Sequence, residues 1–126
     1  MTRKVLIVDD SKLARMAAIK ALISLHPDWT RLEAADAATA LELVQRETPD
    51  VALVDFNMPG MDGLTLAAEV RQLDPKVRVA VISANHQVEV VRRAHAAGAA
   101  FLPKPLTAEA LREFLGSTPG SPQGVP

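Results

Sequence analysis

The sequence predicts an α/β protein in which one parallel five-stranded sheet is covered by helices on both faces. Five short apolar runs alternate along the chain with longer segments of helical period. Strands that alternate with helices in this way usually form a parallel sheet, because each helix carries the chain back to the edge where the next strand starts. Three of the runs are continuously apolar, which indicates strands that are buried on both faces.

The predicted strands are short and differ in strength. The first, third and fourth are the continuous runs, and the third is introduced by the helix-breaking pair Thr48 and Pro49. The second is weaker and the fifth is shorter. The strands are predicted at residues 4–8, 29–34, 51–55, 78–83 and 99–102.

A helix is predicted after each strand. In the second helix Ala37, Ala40, Leu41 and Val44 follow the spacing i, i+3, i+4 and i+7, and Asp36 can cap its start. The helices are predicted at residues 11–24, 36–47, from Gly63 to the closing pair Asp74 and Pro75, at 87–97 before the stop at Gly98, and at 107–115.

The other helices also have candidate faces. In the third and fourth helices we expect apolar residues to face inward, namely Leu66, Ala67, Val70 and Leu73, and then Val90, Val91, Ala94 and Ala97. The first helix carries on one side Leu13, Met16, Ala17 and Lys20.

Composition limits the classes of function. The 126 residues suit one domain, with a folded part at residues 1–115 and a Pro-, Gly- and Ser-rich flexible tail or linker at 116–126. The formal charge of −1, without a basic run longer than two residues, argues against direct nucleic-acid binding. Cysteine is absent, so disulfides are excluded. No stretch has the length of a membrane span, and we expect a cytoplasmic protein that does not contact a membrane.

Residues with reactive or charged side chains stand where the predicted strands end. Asp9 and Asp10 follow the first strand, Asp55 ends the third, Ser83 ends the fourth and Lys104 follows the fifth. In open α/β sheets ligands bind at the carboxyl ends of the strands. If the strands have the flavodoxin-like order 2-1-3-4-5, three carboxylates, a hydroxyl and an ammonium meet in one pocket.

Three carboxylates so close together repel one another unless a cation neutralises them. Carboxylate and carbonyl oxygens suit Mg²⁺ (or Mn²⁺), which is usually held by one or two protein carboxylates together with a phosphate. Lys104 adds a positive point charge beside an acceptor oxygen. These groups together indicate a phosphoryl-transfer site.

The same residues resemble those of the response-regulator receiver domain of two-component signalling, in the CheY-like superfamily. The resemblance covers Lys4 to about Leu115. Each motif is weak alone, but their order at the strand ends is specific. The matching segments are Val-Asp9-Asp10, Asp55-Phe-Asn57-Met-Pro59-Gly-Met-Asp-Gly63, Ser83-Ala84 and Phe101-Leu-Pro-Lys104-Pro105.

The resemblance implies roles for these residues. Asp55 would accept a phosphoryl group from a sensor histidine kinase or a phosphotransfer protein. Asp10, Asp55 and the backbone carbonyl of Asn57 would bind Mg²⁺, and Asp9 would do so through water. Lys104 would pair with a phosphoryl oxygen.

Further implied roles concern the response to phosphorylation. Ser83 would donate its hydroxyl to a phosphoryl oxygen, and Phe101 would turn inward into the space that Ser83 vacates. The family often has Thr and Tyr at these two positions, so a methyl group and a phenolic hydroxyl are missing here. The small Ala84 would leave the phosphoryl group open to solvent. Asn57 and Asn85 stand where the family tunes the lifetime of the acyl phosphate.

The resemblance also implies an output surface, which we expect between Gln87 and Leu115, on the fourth helix, fifth strand and fifth helix. The protein would act as a monomer or as a phosphorylation-dependent dimer. We expect a stand-alone regulator of the chemotaxis type. The alternative is a receiver domain cut from a larger response regulator or hybrid kinase with a separate output domain.

Three other functions fit less well. A phosphatase of the haloacid-dehalogenase type would have its nucleophile after the first strand and a second Asp where Asn57 stands, so we do not expect an enzyme. A flavodoxin-like electron carrier would need a phosphate loop where this chain has Asp9 and Asp10. A receiver used only as a non-phosphorylated docking module is disfavoured by the complete set of functional residues.

Overall fold

The predicted alternation of strands and helices is confirmed. A computed structural model describes residues 3–58, 60–84 and 87–116. The strands are β1 (Lys4–Val8), β2 (Thr30–Ala34), β3 (Val51–Asp55), β4 (Arg78–Ser83) and β5 (Ala100–Pro103). The helices are α1 (Lys12–Leu25), α2 (Ala37–Glu47), α3 (Gly63–Leu73), α4 (Val88–Ala96) and α5 (Ala108–Gly116).

The strands form one parallel sheet in the order β2-β1-β3-β4-β5. The protein is therefore the doubly wound (βα)5 flavodoxin-like sandwich that the sequence predicts. Val8 lies beside Val54, Asp55 beside Ile82, and Ser83 beside Pro103. This register brings the residues that follow β1, β3, β4 and β5 to one edge of the sheet.

Two apolar layers cover the sheet, one on each face. Successive residues of β1 point to opposite faces, so Leu6 and Val8 belong to one layer while Val5 and Ile7 belong to the other. Helices α2, α3 and α4 contribute to the first layer, and α1 and α5 contribute to the second. Burial on both faces explains why these strands read as continuous apolar runs.

Helix α1 turns its predicted side outward. Leu13 is 78% exposed and Met16 is 53% exposed, and Ala17 and Lys20 are exposed as well. The buried residues of α1 are Ala18, Ala21 and Leu22. Alanine and larger apolar residues occur around most of this helix, so periodicity alone does not identify the buried side.

The inward faces of α3 and α4 are confirmed for their central residues. Leu66, Ala67, Val70, Val90 and Ala94 are buried. Val91 and Ala97 are only partly buried. The assignment of Leu73 was wrong, because this last residue of α3 is 44% exposed.

The predicted helix ends agree with the structure to within one residue. The Asp36 side chain accepts a hydrogen bond from the Thr39 N–H at 2.7 Å and caps α2, as predicted. Gly98 follows α4 with φ of +79°, a left-handed conformation that ends the helix. At the other end of the chain, α5 extends to Gly116, and the rest of the predicted tail, residues 117–126, lies outside the described part. Among the described helices, none has the length and apolar character needed to span a membrane.

Candidate functional site

Three carboxylates meet at the carboxyl edge of the sheet, as the sequence predicts. Asp9 and Asp10 follow β1, and Asp55 is the last residue of β3, the strand next to β1. One carboxylate oxygen of each lies within 4.8 Å of the others. Asp9 and Asp55 are buried, whereas Asp10 is exposed, so the cluster opens to solvent at Asp10.

The side chain of Lys104 reaches into this cluster. Its Nζ lies 2.9 Å from Asp55 Oδ1 and 3.1 Å from Asp9 Oδ2. The backbone N–H of Lys104 donates to the carbonyl of Ser83 at 3.0 Å, which fixes the loop after β5 against the end of β4. The peptide bond between Lys104 and Pro105 is cis. One ammonium is therefore shared by two buried carboxylates.

The charges at the site shift the pKa values of both partners. Burial raises the pKa of Asp55, and the charge of Asp9 raises it further, against the hydrogen bonds from Lys104 and from the Asn57 N–H. Burial alone would lower the pKa of Lys104, but the hydrogen bonds and charges of Asp55 and Asp9 outweigh it and raise the pKa. The lysine is thus firmly protonated, while Asp55 carries its negative charge at a cost.

Backbone groups of β2 and of the start of α1 hold Asp9 in place. The N–H of Asp9 donates to the Ala34 carbonyl of β2 at 3.1 Å. Its Oδ1 accepts from the Ser11 N–H at 2.9 Å, and the Ser11 side chain in turn accepts from the Ala14 N–H and caps α1. The carboxylate of Asp9 is therefore oriented by the backbone turn that starts the helix.

Gly63 controls how closely α3 approaches Asp55, a role that was not predicted from the sequence. A Cβ at Gly63 would overlap the Asp55 carbonyl oxygen and would lie 2.8 Å from the Cα of Phe56. The Gly63 N–H donates to the Phe56 carbonyl at 2.8 Å. A signal was present, because glycine is a poor choice for the first turn of a helix unless space requires it.

The other predicted site residues are Ser83, Phe101, Asn57, Ala84 and Asn85, and those that the structure describes differ in burial. Ser83 is buried at the end of β4, one residue beyond Ile82, the partner of Asp55. Phe101 is half-buried against the layer formed by α2, α3 and α4. Asn57 and Ala84 are exposed, and Asn85 lies outside the described residues. The roles of Ser83, Phe101, Asn57 and Asn85 stay predictions.

Comparison with known families agrees with this geometry. The model of the response regulator receiver domain matches residues 5–115. The chain belongs to this family. The resemblance read from the motifs is thereby confirmed, and the matched residues include the three carboxylates and Lys104.

Curated relatives of the receiver domain differ in length. The chain is 43% identical over 97 residues to a probable transcriptional regulatory protein NarL of Mycobacterium tuberculosis, covering 77% of this chain and 45% of that protein. It is 35% identical over 119 residues to the chemotaxis protein CheY of Bacillus subtilis, covering 94% and 98%. The chain thus spans about half of the first relative and nearly all of the second.

Solved structures give the same result. The signal receiver domain of NarL from Mycobacterium tuberculosis superposes with a TM-score of 0.78 at 39% identity, covering 92% of this chain and 98% of that one. The chemotaxis protein CheY4 of Vibrio cholerae superposes with a TM-score of 0.80 at 30% identity, covering 91% and 97%. The fold and strand order of the receiver domain are therefore shared with both.

The donor set of the cluster fits a hard divalent cation. Its ligand atoms are carboxylate oxygens, which suit Mg²⁺ or Mn²⁺. The exposed carboxylate of Asp10 leaves one side of the cluster open to water, and Mg²⁺ usually keeps several waters. Lys104 neutralises only part of the charge of three carboxylates, so a further cation is electrostatically favourable here.

Proposed function

We propose that this receiver domain accepts a phosphoryl group on Asp55 in a Mg²⁺-dependent reaction and changes conformation to signal to a partner. The observation that carries the proposal is the placement of Asp55. Its buried carboxylate ends a central strand, contacts Lys104 at 2.9 Å and shares the cluster with Asp9 and Asp10. Such a site supplies an acceptor oxygen surrounded by groups that neutralise phosphoryl charge.

The cation would be held by Asp10, Asp55 and the Asn57 carbonyl, with Asp9 acting through water. When bound, Mg²⁺ (or Mn²⁺) neutralises negative charge on the transferred phosphoryl group. The closeness of the three carboxylates supports this assignment. The cofactor and the transfer reaction are therefore parts of one proposal.

Asp55 is the nucleophile in the transfer. A carboxylate oxygen forms a bond to phosphorus as the P–N bond of a phosphohistidine breaks, and the electron pair stays on the imidazole nitrogen, which takes up a proton. Lys104 turns from Asp9 and Asp55 toward a phosphoryl oxygen, and the Ser83 hydroxyl donates to another. The protein is thus a phosphoacceptor that assists its own phosphorylation and slow dephosphorylation, rather than an enzyme with a separate substrate.

The phosphoryl donor is a sensor histidine kinase or a phosphotransfer protein, which has to cover the edge of the sheet near Asp55. An apolar cavity of about 340 Å³ opens beside the site, and Ala14, Ala17, Pro105 and Leu106 form part of its wall. The exposed Leu13 lies in the first turn of α1, next to this wall. These apolar groups support a protein donor that docks on the start of α1.

The output passes through the face between Gln87 and Leu115. Phosphorylation biases a two-state element through contacts that exist in only one state. Here Ser83 precedes this face and Phe101 lies within it, on β5. The receiver domain works as a monomer or as a phosphorylation-dependent dimer, in the cytoplasm, without direct contact to nucleic acid or membrane.

Two forms of the whole protein remain under this proposal. CheY of Bacillus subtilis is matched along nearly its full length, whereas NarL of Mycobacterium tuberculosis is matched along less than half. A stand-alone regulator corresponds to the first, and a receiver domain from a larger response regulator or hybrid kinase corresponds to the second. The length of the native reading frame distinguishes them.

The test is phosphorylation followed by intact mass. The chain is incubated with Mg²⁺ and acetyl phosphate, and we expect the mass of one phosphoryl group on the parent and none on Asp55→Asn. Asp28→Asn, at an exposed position, is the matched control and keeps the label. Omission of Mg²⁺ abolishes labelling. An unlabelled parent would favour the docking module, and label on Asp55→Asn would identify another acceptor.

A second arm uses a phosphorylated histidine phosphotransfer protein as the donor. Leu13→Ser removes an apolar side chain that is 78% exposed at the start of α1. We expect slower transfer from the protein donor and an unchanged rate with acetyl phosphate. Equal slowing with both donors would refute docking through α1.

A further inference from the structure

We propose that Arg15 is a positioning residue for the divalent-cation site. This inference rests on the proposed Mg²⁺-dependent function. The Arg15 side chain is only 15% exposed, and its NH1 donates to the backbone carbonyl of Asp9 at 2.7 Å. Arg15 thus holds the peptide that joins Asp9 to Asp10, the two carboxylates contributed by the loop after β1.

A second contact fixes the guanidinium itself. Arg15 Nε lies 3.0 Å from Glu33 Oε1, on the edge strand β2. The same side chain therefore spans from α1 to β2 and bonds the Asp9 carbonyl between them. Its planar set of donors can satisfy two acceptors in fixed directions, which the single ammonium of a lysine does less well.

Together with two other hydrogen bonds of Asp9, the Arg15 contact holds the loop between β1 and α1 in place. The Asp9 N–H is bonded to the Ala34 carbonyl of β2, and Asp9 Oδ1 is bonded to the Ser11 N–H. Arg15 holds the remaining polar group of this backbone unit, the carbonyl. With both sides of residue 9 fixed, the position of the exposed Asp10 relative to Asp55 depends on the Arg15 bond.

Two opposite effects on cation binding follow from Arg15, and one of them dominates. A positive charge near the cluster repels a divalent cation, so its removal would tighten binding. A held backbone lowers the entropic cost of gathering the carboxylates around the ion, so its removal would weaken binding. Because Glu33 neutralises the guanidinium at 3.0 Å, the repulsion is largely cancelled and positioning dominates.

The experiment measures the Kd for Mg²⁺ by calorimetry in the parent, Arg15→Gln and Arg15→Lys. Groups that orient metal ligands typically change affinity by 10- to 100-fold when removed. We expect a Kd about tenfold higher in Arg15→Gln, and a smaller increase in Arg15→Lys, which keeps the charge. The matched control is Arg46→Gln, which removes an exposed arginine paired with Glu42 on α2 and leaves the Kd unchanged.

A second readout separates positioning from general loss of structure. Urea unfolding without Mg²⁺ gives the stability of each variant, and the rate of phosphorylation by acetyl phosphate is measured against Mg²⁺ concentration. We expect Arg15→Gln to need more Mg²⁺ but to reach the parental rate at saturation. Arg15→Lys keeps the positive charge but cannot bond Glu33 and the Asp9 carbonyl in fixed directions, so it carries the test if Arg15→Gln does not fold.

The possible failures are distinguishable. A Kd in Arg15→Gln equal to or lower than the parental value overturns the role of Arg15, and so does an unchanged Kd in Arg15→Lys if only that variant folds. A parent chain that binds no Mg²⁺ overturns the proposed cation site itself.

Discussion

Asp55 is a buried carboxylate that shares one positive charge, that of Lys104, with Asp9. This single charge does not fully neutralise the two carboxylates. Lys104 Nζ contacts both, at 2.9 and 3.1 Å. The raised pKa of Asp55, caused first by burial and then by the charge of Asp9, means that the folded chain binds a proton there more readily than the unfolded chain does. The proposed acceptor site therefore lowers the stability of the fold, and a bound cation would reduce this cost.

We predict that Asp55→Asn is more stable than the parent at pH 7 in the absence of divalent cations. Because the folded pKa is raised, ionised Asp55 lowers the free energy of unfolding above that pKa. This penalty shrinks as the pH falls through the folded pKa and is absent below the ordinary value of 3.8. Urea unfolding with a chelator, between pH 7 and pH 4, should show the advantage of Asp55→Asn decreasing.

The control for this prediction is Asp28→Asn, which changes an exposed aspartate and should leave stability nearly constant at each pH. An Asp55→Asn variant that is less stable than the parent at pH 7 would contradict the prediction. So would an advantage that does not change with pH.

At the scale of elements, the start of α3 packs directly against the end of β3. Asp62 caps α3 by accepting from the Thr65 N–H at 2.8 Å, and Gly63 then packs directly on the backbone of Asp55 and Phe56. Backbone on backbone leaves no flexible side chain to yield. The position of Asp55, the proposed phosphoryl acceptor, thus depends on a glycine that has no chemical role.

We predict that Gly63→Ala lowers the free energy of unfolding by about 2–3 kcal/mol, because the new methyl group overlaps backbone atoms that cannot move easily. Gly116→Ala is the matched control, since a Cβ there meets no atom within 4 Å. Chemical denaturation measures both. If Gly63→Ala were as stable as the parent, α3 would be able to shift away from β3 at little cost. Phosphorylation of Asp55 by acetyl phosphate would then be expected to persist in this variant.

Helix α1 shows a second property at this scale. Its small buried side, Ala18, Ala21 and Leu22, allows close packing on the sheet, while Leu13 and Met16 face outward. Exposed apolar residues beside a reactive site commonly indicate a contact with another molecule. These outward-facing residues are the reason that we propose α1 for donor docking. They are also the residues whose orientation the sequence did not predict.

At the scale of the whole molecule, the strand order separates the proposed acceptor from the proposed output face by a single strand. Asp55 ends β3, β4 lies beside it, and β5 is the edge strand next to β4. Val81 of β4 lies beside Phe101 of β5. A displacement of Ser83 at the end of β4 can therefore reach Phe101 through one strand pairing.

We predict that fluoroberyllate with Mg²⁺, a phosphoryl analogue, changes the amide NMR signals of Ser83, Phe101 and the face from Gln87 to Leu115. The signals of α2 (Ala37–Glu47), which packs on β1 and β2 near the edge of the sheet opposite β5, are the internal control and should change little. In Phe101→Ala the changes on the output face should decrease while those at Ser83 persist. Changes limited to the acidic cluster would contradict a switch.

The sequence determined most of the fold and of the site. Continuous apolar runs such as residues 5–8 and 51–54 specify strands buried on both faces, since only two helical layers can cover them. The carboxylates and Lys104 were predictable because parallel strands end at a common edge, so a residue's place in its strand fixes where it meets the others. Caps such as Asp36 were predictable because they depend only on neighbouring residues.

Only the tertiary structure decided the contacts that depend on how closely two elements pack, rather than on where the strands end. Which side of α1 is buried depends on the fit of its alanines against the sheet, and apolar residues around the helix leave that choice open. The Gly63 contact depends on the distance between two backbones, which no residue pattern records. Arg15 contacts both Glu33 and Asp9 only because β2 lies beside β1 in the sheet, so its proposed role follows from packing.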